Sequence, residues 1–569
     1  MHKRIRTRLL VLVFAISILA SITYISSCDT YNFPTPVGII PHSYENSIKY
    51  TKPQVGQVKA QPRHIFWDKV FNIFDAGSFN VTGIDKKDAI QYVDRKLQIK
   101  GPNTKNVLLS RAIVEPIVFN ELKNKHDLVK YHLPKRLESS TYKSGTSGIV
   151  IIGGGKFSWL AYLSLKALRN TGSTLPVEII MPQYDDYIKE QEFCSQALPK
   201  LNAQCVILPE VLGASVMSRW SDKMASYQLK SLALMVSTFQ NVLLLDSDNV
   251  LVQNPDNLFK SDLFKTNGMI TWPDYWKRSI SPLFYNISRV QVNEKKRIRY
   301  NRFPLFVDSS TKENVQTLEN EEENVPYHDL EGTIPDLSTE SGQLMINKKT
   351  HSCTLLLSMY YNLLGPDLYY KLFSLGEPGE GDKDTFPAAA VVCKEKFYQV
   401  KSFIRTFGYF DNGGNFRGVA MGQKDPLFDL GKTETHLTKP DGVSEIKFKS
   451  IPKQIERLKG IEGEQFDTWP VPLFAIHCNF PKLDPIGLME RDDLFDVKNF
   501  RLNYRMFDGL TYDDPNNEGN KLDFELEQWK NMESSLCDED PGFSHFRKNE
   551  IQYYCLFAKS QVKWLSSSV

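Results

Sequence analysis

An apolar run that ends in two carboxylates one residue apart constrains this chain more than any other feature. Asn241 to Pro255 reads Asn-Val-Leu-Leu-Leu-Asp-Ser-Asp-Asn-Val-Leu-Val-Gln-Asn-Pro. In a strand alternate side chains share a face, so Asp246 and Asp248 are predicted to point the same way while Ser247 points elsewhere. Two carboxylates on one side can hold a hard divalent cation. Taken alone, Asp-Ser-Asp-Asn also suits a polar turn after a core strand. Upstream, Ala225, Leu229, Leu232, Val236 and Phe239 recur at intervals of four and three, which predicts an amphipathic helix starting after the cap Ser221. Helix, turn, apolar strand and acidic strand end make one α/β unit, and ligands of such sheets collect outside strand carboxyl ends. A cation placed there suits a diphosphate.

Four stretches then carry a resemblance. Phe239 to Phe259, with Leu-Asp-Ser-Asp-Asn and Gln-Asn-Pro-Asp, is similar to the DxD region of the fungal Golgi α-mannosyltransferase family of the MNN1/MNN2 type, closest to its MNN2-like α-1,2 branch. Thr271 to Tyr285 (Thr-Trp-Pro-Asp-Tyr-Trp-Lys-Arg-Ser-Ile-Ser-Pro-Leu-Phe-Tyr), Glu340-Ser-Gly-Gln-Leu-Met-Ile-Asn347 and Gly381-Asp-Lys-Asp-Thr-Phe386 extend it. The resemblance covers roughly Gly145 to the C-terminus, together with the membrane-anchored layout before it. It implies a GT-A-like nucleotide-sugar-binding fold and retaining transfer of mannose from GDP-mannose to mannan side chains or N-glycans of glycoproteins. An α-1,3 linkage is the alternative within the same family. A noncatalytic mannan-binding subunit of a glycosylation complex and a glycosidase with paired carboxylates are the alternatives outside it.

The resemblance also assigns roles. Asp246 and Asp248 hold the cation, and His477 in Phe474-Ala-Ile-His-Cys-Asn-Phe480 completes the set; imidazole with carboxylates suits Mn²⁺ better than Ca²⁺. A buried structural histidine is the rival reading of His477. Lys482 and Lys230 resemble the lysines that contact the diphosphate or nucleotide, although each also suits a plain surface lysine. Glu340 and Gln343 precede the apolar run Leu344-Met-Ile346, so they occupy a strand mouth where polar groups can face sugar hydroxyls. Asp382, Lys383 and Asp384 follow a glycine-rich turn and open a predicted helix, Thr385 to Lys394. Asp382 and Asp384 are the preferred reaction-centre residues and Lys383 a donor contact, with Asp384 as a mere helix cap the rival reading. Trp272, Asp274 and Trp276 suit either a mannose contact or core packing.

The rest of the chain is read from composition and pattern. The 569 residues carry a net charge of +2, which gives no electrostatic case for nucleic acid. With 41% hydrophobic and 12% aromatic residues, material for a large core is ample. Lys3, Arg4, Arg6 and Arg8 precede an uncharged, mostly apolar run, Leu9 to Ile25, which as a helix spans about 25 Å. The expected layout is a cytosolic tail (residues 1–8), a single-pass signal anchor (9–25), a stem (26–62), a helical preface (63–144) and a luminal catalytic domain (145–569). A cleaved signal peptide is the alternative. The compartment expected is the Golgi lumen, where association with other glycosylation enzymes is a further expectation. The sequons at Asn80 and Asn286 agree with a lumen.

Inside the preface, Asp85 to Leu97 and Arg111 to Leu133 are predicted helices. The catalytic body starts with Ile149-Val-Ile-Ile152, a glycine turn Gly153 to Gly155 and a helix Trp159 to Arg169, followed by strands at Val177 to Met181 and Cys205 to Leu208. Strands alternating with helices predict a mostly parallel mixed sheet. The glycines suit either nucleotide approach or a plain tight turn. Residues 286–336, with a basic patch Lys295 to Arg299 and an acidic run Glu319 to Glu323, read as an insertion at the site's rim. Among eight cysteines, Cys194 with Cys205 and Cys537 with Cys555 are expected to pair from proximity, and the absence of CxxC spacing argues against structural zinc.

Overall fold

The computed structural model describes residues 61–93, 101–305, 325–433, 454–456, 458–459, 471–507, 509–514 and 517–567. The elements that position the site are, in chain order, strands β1 (Lys143–Ile152), β2 (Val177–Met181), β3 (Ala203–Ile207), β4 (Phe239–Leu245), β5 (Asn249–Leu251), β6 (Met269–Pro273), β7 (Thr339–Asn347), β8 (Tyr398–Gln399), β9 (Arg405–Phe410), β10 (Phe416–Lys424) and β11 (Leu473–His477). The main helices are α1 (Pro62–Ala76), α2 (Pro116–His132), α3 (Lys156–Asn170), α4 (Gln228–Val236), α5 (Ser352–Leu363), α6 (Thr385–Cys393), α7 (Phe524–Ser534) and α8 (Ile551–Ser567).

Seven strands form the central sheet in the order β8-β6-β7-β4-β1-β2-β3. Every neighbouring pair is parallel except the two that involve β7. This is the mostly parallel mixed sheet expected from the strand–helix alternation. Because β7 runs against β4, its first residues lie beside the carboxyl end of β4, where the acidic pair emerges. The period-two alternation of the strands sorts side chains to two cores. Val150, Ile180, Val242, Leu244, Leu344 and Ile346 join one cluster, which also takes in α1, α4, α5 and α6. Ile149, Ile151, Ile179, Leu243, Leu245 and Met345 join the other, with α3, α7 and α8.

A second, antiparallel sheet in the order β9-β10-β11-β5 extends the second core. Its edge strand β5 starts two residues after Asp246-Ser247, so one short turn links the two sheets.

Several local expectations give way to tertiary packing. Ser221 does not cap the helix before β4: Ser221–Lys223 is a separate 3₁₀ turn, α4 starts at Gln228, and Phe239 opens β4. Asp85 caps a 3₁₀ turn, Lys86–Asp88, and Ile90–Tyr92 is a strand paired with Ala112–Val114, so the two predicted preface helices shrink to α2 alone within those spans. The start of the preface packs on the catalytic body. Phe66, Trp67, Val70, Phe71 and Phe74 of α1 are buried in the first core, and the Tyr360 hydroxyl donates to Gly77 O at 2.8 Å.

The flanks of the expected insertion pair as short strands, Asn293–Arg297 with Leu330–Glu331, while residues 306–324 lie outside the described residues. Disulfides join Cys194 to Cys205 and Cys537 to Cys555, as proximity suggested, and a third joins Cys353 to Cys393. Asn80 and Asn286 are both exposed. Among the described residues no helix is long and apolar enough to cross a membrane. The expected tail, anchor and nearly all of the stem lie outside the described residues.

Candidate active site

The acidic pair sits on the turn after β4. Asp246 N–H donates to Gly342 O at 2.8 Å, and Asn249 N–H closes the turn on Asp246 O at 3.0 Å. The shared direction of Asp246 and Asp248 therefore comes from turn geometry, and strand alternation plays no part in it. Register brings in a third candidate ligand. Across β11 and β5, His477 pairs with Asn249, and Cys478 N–H donates to Asp248 O at 2.9 Å. His477 Nε2 consequently lies 3.4 Å from Asp248 Oδ1 and 3.9 Å from Asp246 Oδ2. One ligand atom from each of the three falls within 4.8 Å of the others.

Glu340 lies behind the imidazole, with Oε1 at an ion-pair distance of 3.5 Å from His477 Nδ1. A carboxylate on the far nitrogen of a metal-binding histidine fixes which nitrogen faces the metal. Gly342 makes this packing possible: a Cβ there would stand 2.7 Å from His477 Nδ1 and 2.9 Å from Glu340 Oε1. Its place in Glu-Ser-Gly-Gln held the signal, but only the fold shows what the missing side chain leaves room for. Two carboxylates and an imidazole fit a divalent cation.

Positive charge surrounds the set. Lys230 Nζ lies 2.8 Å from Asp246 Oδ2 and also donates to Ser341 Oγ at 3.1 Å. Lys482 Nζ pairs with Asp248 Oδ2. Burial favours a neutral Asp248, but His477 and Lys482 outweigh it and hold the carboxyl well below the usual range. Burial likewise opposes charge on His477, yet Asp248 and Glu340 lift the imidazole to about 10. Asp382 is 2% exposed and accepts from Ser341 Oγ at 3.0 Å, while its Oδ2 is buried without a hydrogen-bond partner. Burial pushes its carboxyl up to about 6 against the pull of Lys230, with Asp246 adding to the rise.

The structure thus gathers Asp246, Asp248, His477, Glu340, Lys230, Lys482 and Asp382 at one place. A model of a mannosyltransferase family, Mannosyl_trans3, matches residues 146–425. The α-1,2-mannosyltransferase MNN23 of Candida albicans is 52% identical over 517 residues, covering 89% of this chain and 85% of that protein. The chain belongs to the fungal α-1,2-mannosyltransferase family. MNN22 of the same yeast is 40% identical over 88% of this chain and 85% of its own, and MNN2 of Saccharomyces cerevisiae 37% identical over 78% and 74%. Among solved structures, the glycosyltransferase GlyE of Streptococcus pneumoniae aligns over 45% of each chain with 15% identity and a TM-score of 0.25.

Other residues singled out in this mannosyltransferase-family sequence take different places. Asp384 does precede α6, but its side chain makes no cap hydrogen bond. It pairs instead with the fully buried Arg278 at 2.6 Å and accepts from Thr339 N–H at 2.9 Å. Lys383 pairs with Asp274. Gln343 lies inside β7, where Oε1 meets the Asn249 amide, and its Nε2 is buried without a partner. Trp272 is a core residue: it is fully buried, stacks on Phe474 at 5.4 Å and donates from Nε1 to Lys424 O. Trp276 is 39% exposed. The glycine turn after β1 uses positive φ at Gly154 (99°) and Gly155 (55°), conformations that glycine adopts without steric cost.

Proposed function

We propose that this protein transfers mannose from GDP-mannose, with retention and in α-1,2 linkage, to mannan side chains of glycoproteins, at the luminal face of a Golgi membrane. The observation that carries the chemistry is the convergence of Asp246, Asp248 and His477 from two sheets. The names of the relatives favour α-1,2 over α-1,3.

Asp246, Asp248 and His477 would hold a Mn²⁺-like cation, whose chemistry at this place is neutralisation of charge on a departing diphosphate. Lys230 and Lys482 bring fixed positive charge to the same spot, in a buried setting where it acts more strongly than in water. Glu340 holds the His477 ring in one orientation. Asp382 offers an unpartnered buried oxygen that a sugar hydroxyl can satisfy. Asp384 and Arg278 brace the start of β7, and so fix Glu340 and Gly342 indirectly. Residues 9–25 serve as the anchor and residues 26–62 as the stem, in a GT-A-like enzyme that works singly or with other Golgi glycosyltransferases.

The purified protein, incubated with GDP-mannose, Mn²⁺ and an α-mannose oligosaccharide, is expected to form a product whose linkage analysis shows 2-substituted mannose. A 3-substituted product would reassign the linkage. No product with any mannose acceptor would overturn the activity.

A further inference from the structure

The second sheet carries an aromatic shelf that none of the site chemistry uses. Residues paired directly across antiparallel strands project to the same face. Asn249, His477, Met421 and Thr406 are paired in succession across β5, β11, β10 and β9, so one face of this sheet begins at the candidate metal set. The same face continues along the β9–β10 hairpin: a Cβ on Gly418 would lie 3.2 Å from Thr406 Cγ2. Beyond a bulge, Gly408 pairs with Gly418 and Phe410 with Phe416.

Phe416 lies over the bare glycine pair. A Cβ on Gly408 would stand 2.8 Å from its Cζ, and one on Gly418 3.8 Å from its Cε1. Phe410 meets it edge-on, with centroids 5.4 Å apart and planes at 61°. Both rings stay open, at 48% and 63% exposure. The turn between them is rigidly tied: Asp411 Oδ1 accepts from Gly413 N–H and Asn415 N–H, each at 2.9 Å, and Asp411 Oδ2 pairs with Arg417. Phe416 stands five residues from Met421, about 17 Å along the strand.

We infer that Phe410 and Phe416 form a binding platform for the acceptor, gripping mannose units several residues away from the one that is extended. This rests on the mannosyl-transfer reading above. The C–H faces of a pyranose are apolar and slightly positive, so they seat on the negative face of an aromatic ring. A platform already rigid loses little entropy on binding. Its place on the sheet face that starts at His477 favours a chain leading to the site over an unrelated partner.

The test is calorimetric titration of the intact protein with a long α-mannose oligosaccharide and with methyl α-mannoside, for wild type, Phe410→Ala/Phe416→Ala and Phe416→Trp. The expected result is a roughly tenfold weaker affinity of the double variant for the long oligosaccharide, near-wild-type affinity for Phe416→Trp, and collapse of the preference for long over short acceptors, also in KM. Melting temperatures like wild type show that the exposed substitutions leave the fold intact. Equal binding of the long oligosaccharide by wild type and double variant, or no binding by wild type, overturns the platform. A wild-type dimer that the double variant turns into a monomer also overturns it, assigning the rings to a second copy. A wild type that binds mannan through these rings but transfers no mannose overturns the proposed function and leaves the platform standing.

Discussion

His477 stands directly across the ladder from Asn249, and the Asn249 side-chain amide donates to Gly342 O at 2.8 Å. The same Gly342 carbonyl receives Asp246 N–H, so one glycine ties the acidic turn, the antiparallel strand and the histidine strand together. The site is therefore a junction of three chain segments, held by backbone groups that a point substitution at the ligands themselves would leave in place.

Gly342→Ala is the sharpest test of that junction. The added methyl would stand under 3.0 Å from both His477 and Glu340, so the ring has to move. Transfer activity is expected to fall about tenfold to a hundredfold, as for lost orientation of a metal-bound histidine, while circular dichroism stays that of the wild type. Unchanged kcat/KM would show that the ring's position is unimportant.

Arg278→Ala should unfold the region rather than slow the chemistry. Arg278 is fully buried and pairs with Asp384, and its Nη2 also donates to Leu337 O and Thr339 Oγ1. Removing one partner of such a pair costs about 3–5 kcal/mol, which denaturant titration would register. A midpoint like that of wild type would contradict the structural role given to Asp384.

Trp272→Ala is expected to cost a similar amount, about 3–5 kcal/mol, by opening a cavity against Phe474. If stability held and only KM for the acceptor rose, Trp272 would be a sugar contact after all.

Acid should destabilise the protein through two buried histidines. Burial first, and then Lys130 and Arg289, hold His126 down at about 4 despite Asp127; burial first, and then Arg278 and Arg299, hold His328 at about 3. Both lie below the ordinary 6.5, so the unfolded chain takes up protons that the folded chain refuses. Their contribution is whole above pH 6.5 and is lost as pH falls, at about 1.4 kcal/mol per pH unit for each histidine. From pH 6.5 to 5 the pair accounts for about 3 kcal/mol. His126→Phe should lose about half as much over that range, measured by urea unfolding at each pH; parallel curves for the two proteins would refute the assignment.

What could be read from the sequence was local or periodic. The apolar strand before Asp246, its helix and the alternation of further strands depend on neighbours a few residues away, and they form the sheet as expected. His477 carried no such signal, since its meaning lies in the register of β11 against β5; only likeness to a family pointed to it. Arg278 and Asp384 are 106 residues apart, and nothing near either one announces the pair. Glycine-rich turns gave Asp382 and Asp384 the same look, yet the fold turns Asp382 toward Lys230 and Asp384 toward Arg278. The shelf of Phe410 and Phe416 went unread because two single glycines on different strands become a surface only when paired.

In the proposed function, Asp246, Asp248 and His477 bind the cation that transfer requires. The most direct measurement is Mn²⁺ binding by the purified protein, followed by electron paramagnetic resonance, in wild type, Asp248→Asn and His477→Ala, alongside mannose transfer with and without chelator. One bound ion in wild type, its loss in both variants and at least a hundredfold drop in transfer, matched by chelator, is the predicted result. Full transfer by Asp248→Asn, or in excess chelator, would contradict it.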